Sequence, residues 1–317
     1  MPRVAAIDCG TNSIRLLVAE LTHRHDGTVD LRDLHREMRI VRLGQGVDAT
    51  GRLAPEALER TRAALADYTI AARRKGAERV RMVATSATRD ASNRDDFFAM
   101  TRELLGIEAE IISGDEEARL SFTGAVGDLD PDDGPFLVVD VGGGSTELVL
   151  GEWDGRRASV TSACSVDIGC VRITERALRS DPPTSDEVEA AREFATEVLA
   201  KAFEAVDVRK AKTWIGVAGT VTTLSAVAQG LPAYDAERTH LSRLSAEDIH
   251  AVAAELLAAD HETRAANPVI HPGRVDVIGG GALIVRVLAE QLAERGGPSG
   301  LLVSEHDILD GIALSLA

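Results

Sequence analysis

Residues 10–13 (Gly10-Thr11-Asn12-Ser13) and 142–146 (Gly142-Gly143-Gly144-Ser145-Thr146) combine glycines with small polar side chains in two short turns. Such turns can bend backbone N–H groups into a concave nest and let phosphate oxygens come close. An aspartate precedes each, Asp8 and Asp140. A carboxylate beside a phosphate loop suits a hard cation, because Mg²⁺ takes one or two carboxylates together with water and phosphate oxygens. Glu147 closes the second turn and is expected to share a metal with Asp140.

Three further segments carry candidate chemistry. In Ser113-Gly114-Asp115-Glu116-Glu117, Ser113 and Glu116 have the spacing of a capping box, which gives Glu116 a structural task. Glu117 lies about 100° further round the helix. It is either an ordinary helix-start acid or a general base that deprotonates a water attacking phosphorus. Residues 84–93 (ATSATRDASN) follow a predicted strand, and Arg89 ends the run where open α/β sheets bind ligands. An arginine there could grip a phosphate with two nitrogens. Residues 216–223 (GVAGTVTT) read as a strand-to-helix turn, with Gly219 and Thr220 at a helix start that could face an anion. His23 and His25 lack a third ligand nearby, and His271 and His306 read as surface or capping residues. There is no Walker A, GxGxxG or GxSxG motif.

The elements that must position these residues come from an internal repeat. Residues 5–20 (AAIDCGTNSIRLLVAE) and 137–152 (LVVDVGGGSTELVLGE) align without a gap, matching Asp8 to Asp140, Gly10 to Gly142 and Ser13 to Ser145. Each reads as a β-hairpin with a polar tip. Two copies at this spacing imply a duplicated α/β domain with a cleft between the copies. Helices are expected over 55–75, 95–105, 115–126, 185–206, 282–292 and 306–316, and strands over 79–84, 107–112 and 214–217. The alternation is that of an α/β protein. Residues 127–134 (GDLDPDDG) read as the linker. The expected domains are 1–126 and 127–317, with a C-terminal helix from about 304 to 317 packing back on the first.

Composition limits the partners. Of 317 residues, 44% are hydrophobic, enough for real cores, and no apolar run has the ~20 residues that span a bilayer. The first residues read as a strand rather than a signal peptide. The three cysteines (Cys9, Cys164, Cys170) are too few for a disulfide framework, so a reducing cytoplasm is expected. The net charge of −16 argues against a broad surface for DNA or RNA. Half of that excess falls within 113–150, around the proposed base and metal ligands, and the loop carboxylates Asp128, Asp130, Asp132 and Asp133 are expected to serve solubility. Seven basic groups cluster within 71–94.

The blocks AIDCGTNS, TSATRDASN, ISGDEEARLSF, VVDVGGGSTELV, GVAGTVTTL and VSEHDILDGIALSL together resemble the exopolyphosphatase/guanosine pentaphosphate phosphatase (Ppx/GppA) family of the actin-like ATPase superfamily. The resemblance implies two RNase-H-like domains with an interdomain active site, in a short two-domain form. It implies release of terminal phosphate from polyphosphate or from the pentaphosphate alarmone pppGpp, a stringent-response nucleotide, dependent on Mg²⁺ (or Mn²⁺). It also implies a homodimer and no membrane partner. By motif, Glu117 is the catalytic carboxylate, Arg89 a second catalytic residue that neutralises charge on phosphate, and Asp140 and Glu147, with Asp8, the metal ligands. Two other readings stay open. Residues 277–282 (VIGGGA) resemble the adenosine-side segment of that superfamily, as in an ATP-dependent kinase of a small acceptor. A module that binds alarmone or polyphosphate without turnover is the other.

Overall fold

The structure, a computed structural model, describes residues 2–317. The chain forms two compact units. One runs to Gly124 and takes in Ile308–Ala317, and the other is Ala125–Asp307.

The sheet of the first unit contains β1 (Arg3–Cys9), β2 (Ser13–His23), β3 (Val29–Ile40), β4 (Arg79–Ala84) and β5 (Glu110–Ile111), in the order β3-β2-β1-β4-β5. The first three strands form an antiparallel meander, and β4 and β5 add in parallel. β1 is an unbroken apolar run because it is central and covered on both faces. Its side chains alternate accordingly. Ala5 and Ile7 join a core with Leu65, Tyr68 and Phe97, from the helices Pro55–Arg74 and Arg94–Leu105. Val4 and Ala6 join Leu120, Ile308 and Ile312, from the helices Gly114–Ala125 and Ile308–Leu314. At Gly311 a Cβ would lie 2.0 Å from Leu120 O, so only glycine lets those two helices come so close.

The sheet of the second unit contains β6 (Phe136–Val141), β7 (Thr146–Trp153), β8 (Ala158–Val166), β9 (Thr213–Val217), β10 (Arg243–Leu244) and β11 (Leu301–Val303), in the order β10-β11-β9-β6-β7-β8. It repeats the first arrangement. An antiparallel meander β6-β7-β8 comes first, followed by the parallel strands β9 and β11. The helices Cys170–Ala177, Ser185–Ala205, Ala246–Ala258 and Ile278–Arg295 supply much of its core. The fold is therefore α/β, built from two units of the RNase-H-like, actin-like type.

Several sequence expectations need correction. The strand expected over 107–112 is only two residues long, and Ile107 is exposed. In the helix Pro55–Arg74, Ile70 points outward although it is apolar, while Tyr68 fills the core. The helix expected from 282 begins at Ile278 and takes in all three glycines. A Cβ on Gly280 would lie 2.4 Å from Thr174 Oγ1, and one on Gly281 would lie 2.5 Å from Thr220 Cγ2. Gly280 and Gly281 thus have a packing role in this helix. No helix among the described residues is long and apolar enough to cross a membrane.

Candidate active site

The two polar turns are built alike. Gly10 N–H donates to Ser13 O (2.9 Å), and Gly142 N–H donates to Ser145 O (3.1 Å). Each turn is tied back by the segment that follows the third strand of its meander. In the second unit, Cys170 N–H donates to Gly142 O (2.9 Å), Val171 N–H to Gly143 O (2.9 Å) and Arg172 Nε–H to Gly144 O (2.8 Å). In a trans peptide the N–H points opposite to the C=O. Tying three successive carbonyls to residues 170–172 therefore turns the amides of Gly143, Gly144 and Ser145 to the other side, as an anion nest requires. In the first unit, Gly44 N–H donates to Thr11 O (2.8 Å), while the N–H groups of Val41 and Arg42 converge on Asn12 O (3.0 and 2.9 Å). The same argument turns the Asn12 amide outward. Arg42 adopts φ 50°, a strained geometry for a residue with a Cβ.

The aspartates before the turns have different partners. Asp140 and Glu147 are opposed in the β6–β7 ladder and both are buried. Ser165 Oγ, from β8, donates to Glu147 Oε1 at 2.7 Å. In the first unit the position opposite Asp8 is Arg15, whose Nε and Nη2 donate to Asp8 Oδ2 at 3.0 and 2.7 Å. One copy of the repeat thus builds an ion pair, and the other opposes two carboxylates at the same place. The second arrangement is a donor set for a hard cation. Asp8 already has a cationic partner. The Thr146 hydroxyl, expected to face phosphate, instead donates to Ile168 O at 2.6 Å, because the buried carbonyl needs a donor.

Glu117 and Arg89 meet within the first unit. Arg89 lies at the end of the short helix Ser86–Asp90, directly after β4. Its Nη1 donates to Glu117 Oε2 (2.7 Å) and to Ile112 O (3.0 Å). Glu117, only 8% exposed, is in the first turn of the helix Gly114–Ala125. The expected capping box is half formed. Ser113 Oγ accepts from Glu116 N–H at 3.2 Å, but the Glu116 carboxylate turns to Arg81 (2.7 Å). The short helix thus fixes a buried carboxylate through one arginine nitrogen.

Gly219 and Thr220 open the helix Ala218–Ala228, as expected for a strand-to-helix turn, and Ala218 holds φ 69°. A Cβ on Gly219 would lie 1.5 Å from Arg274 Nη1, so the Arg274 guanidinium packs directly on this glycine. Sequence reading missed Arg15, Ser165, Arg172 and Arg274. Arg15 and Ser165 were findable from strand register. Arg172, in the first turn of the helix Cys170–Ala177, and Arg274, at the end of the short 3-10 turn Pro272–Arg274, reach the site through tertiary placement, which no local pattern marks. His271 caps its own turn, its Nδ1 accepting from Gly273 N–H (3.1 Å), in accord with the sequence reading.

Residues 17–316 match the model of the Ppx/GppA phosphatase family. The chain is 58% identical over 322 residues to exopolyphosphatase 2 of Mycobacterium tuberculosis, covering all of this chain and 99% of that protein. The crystal structure of an exopolyphosphatase-like protein superimposes with a TM-score of 0.93 at 44% identity, covering 100% of this chain and 98% of that one. The Ppx/GppA enzyme of Aquifex aeolicus superimposes with a TM-score of 0.78 at 32% identity, covering 99% of each chain. With this family model matched along nearly the whole chain and a full-length relative at 58% identity, the chain belongs to the Ppx/GppA phosphatase family.

Proposed function

We propose that this chain hydrolyses the terminal phosphoanhydride of inorganic polyphosphate with the help of Mg²⁺ or Mn²⁺, and that pppGpp, which ends in the same bond, is a second substrate. The observation that carries this reading is the turn at 142–145. Its carbonyls are tied back, its amides face outward, and two opposed carboxylates lie at its base. A nest of amides takes phosphate oxygens, and the carboxylates Asp140 and Glu147 fit a hard cation. Bound there, Mg²⁺ would neutralise charge on the phosphate oxygens.

The residues then divide the work. Gly143, Gly144 and Ser145 in the second unit, and Thr11, Asn12 and Ser13 in the first, position phosphate through backbone N–H groups and hydroxyls, while Gly10 and Gly142 close their turns by donating to Ser13 O and Ser145 O. Gly219 and Thr220 add a helix start. Asp8, held by Arg15, is a lesser metal ligand than Asp140 and Glu147. Glu117 accepts a proton from the attacking water as the new P–O bond forms. The bond from phosphorus to the bridging oxygen breaks, and that oxygen leaves with the shortened chain. Arg89 Nη1 holds Glu117, and its guanidinium would also donate to a phosphate oxygen. Such a loose transfer relies on positioning and charge rather than a covalent nucleophile. A cytoplasmic homodimer fits the family resemblance, and the free thiols of Cys9, Cys164 and Cys170 agree with a reducing compartment.

The test is phosphate release from polyphosphates of defined length, pppGpp and ATP, side by side, with and without Mg²⁺. Release from polyphosphate that stops in excess chelator is expected. ATP-dependent phosphorylation of an acceptor without free phosphate would instead identify a kinase. Tight binding of polyphosphate or pppGpp with zero release would identify a binding module.

A further inference from the structure

Asp128, His240 and His306 converge within the second unit, although they are far apart in sequence. One ligand atom from each lies within 4.8 Å of the others. Asp128 Oδ2 is 3.4 Å from His240 Nε2 and 3.3 Å from His306 Nε2. Those separations exceed the usual N–H···O distance of about 2.9–3.0 Å. They match the about 3.3–3.5 Å between neighbouring ligands of a tetrahedral ion with bonds of about 2.0–2.2 Å. The two imidazoles meet edge to face, at 4.9 Å between centroids. We propose that Asp128 Oδ2, His240 Nε2 and His306 Nε2 form a Zn²⁺-class site with one coordination position open to solvent.

The surroundings hold the rings in place. Leu241, next to His240, takes φ 57° and donates its N–H to Val303 O (2.7 Å), fixing the loop to β11. Such strain in a residue with a Cβ is kept only where the neighbours enforce it. Ser304 Oγ donates to His306 O (3.0 Å) and accepts from His306 N–H (3.1 Å). The Glu305 carboxylate is fixed by the hydroxyls of Tyr234 (2.5 Å) and Thr239. Glu305 N–H points at His240 Nδ1 (3.2 Å), which places the ring proton on Nε2, toward Asp128. An ion at Nε2 moves that proton to Nδ1, with none released, and displaces the Glu305 amide. Two imidazole nitrogens select a borderline transition ion over Mg²⁺, so this site is chemically distinct from the carboxylate pair Asp140/Glu147. Asp128 is among the first residues of its unit and His306 among the last, so the ion ties together the two segments through which the chain enters and leaves it.

The test uses untagged, chelator-stripped protein titrated with Co²⁺ in excess Mg²⁺. One equivalent is expected to give the visible bands of a tetrahedral ion, and Zn²⁺ is expected to displace it. Asp128→Asn, His240→Gln and His306→Gln should each weaken binding about 100-fold or more, since loss of outer-shell partners alone costs about 10–100-fold. Asp128 is exposed, so Asp128→Asn keeps the test valid if a histidine variant fails to fold, with circular dichroism as the check. An amide shift at Glu305 on Zn²⁺ addition is the second readout. Absence of the bands, or equal binding by the parent and folded Asp128→Asn, overturns the proposal.

Discussion

Gly169→Ala tests whether the turn at 142–145 must be held where it is. Gly169 has φ −152° and ψ 171°, extended backbone that alanine adopts freely, so the substitution adds no conformational strain. Its new Cβ, however, would lie 2.4 Å from Gly143 C, 2.5 Å from Gly143 O and 2.6 Å from Gly144 N. All three are backbone atoms with no rotamer to escape into. Restoring a contact of about 3.4 Å requires the turn or the start of the helix Cys170–Ala177 to move by about 1 Å. Overpacking of this kind costs about 1–3 kcal/mol, which is roughly a 2–10 °C fall in melting temperature for a unit of this size. A 1 Å misplacement of a positioning group can cost about 100-fold in rate. The expected protein is therefore folded at 25 °C, slightly less stable, and slower in phosphate release by about two orders of magnitude. Gly127→Ala, where a Cβ meets nothing within 4 Å, is the control and should match the parent. Full activity in Gly169→Ala, at parental or reduced melting temperature, would refute the reasoning. So would an activity loss fully explained by unfolding at the assay temperature.

Removing the Ser165 hydroxyl, which donates to Glu147 Oε1, should raise the Mg²⁺ concentration for half-maximal rate by about 10-fold while leaving the melting temperature within about 2 °C. A metal titration of Ser165→Ala checks this. Two helix-cap carboxylates predict an acid limb. The Ser245 hydroxyl holds Asp248 below its ordinary value of 3.8, and the Thr263 hydroxyl does the same for Asp260. A carboxyl lowered by folding stabilises above its ordinary value and loses that contribution as pH falls through the folded one. The double variant Asp248→Asn/Asp260→Asn should thus be less stable than the parent at pH 7, with the gap narrowing as pH falls below the ordinary value of 3.8 in urea titrations.

Much of this architecture was legible in the sequence because the repeat is local. The runs before Asp8 and Asp140 are apolar, central strands, and the glycine tips must be turns, so both hairpins could be drawn from the sequence, whereas the third strands β3 and β8 were not anticipated. β4 lies at 79–84, as expected from its hydrophobic run. The two-residue β5 is too short to carry a periodicity, and its apolar neighbour Ile107 faces solvent. Glu117 could be distinguished from Glu116 by helix geometry, but its contact with Arg89 joins residues 28 apart, and only the folded sheet brings them together. The glycine run at 279–281 is ambiguous in sequence, because glycine serves close packing as readily as ligand approach. His306 read as a capping residue and Asp128 as a solubilising charge. Neither has the other ligands of the site near it in sequence, and their meeting depends on where β11 and the chain after Ala125 end up.

The central claim is general-base hydrolysis by Glu117 with cation help from Asp140 and Glu147. It is tested most directly by single-turnover phosphate release from polyphosphate by Glu117→Gln, which keeps the shape and loses the base. A fall of about 100- to 10,000-fold at every Mg²⁺ concentration, with polyphosphate binding intact, is the predicted result. Release at the parental rate would contradict it.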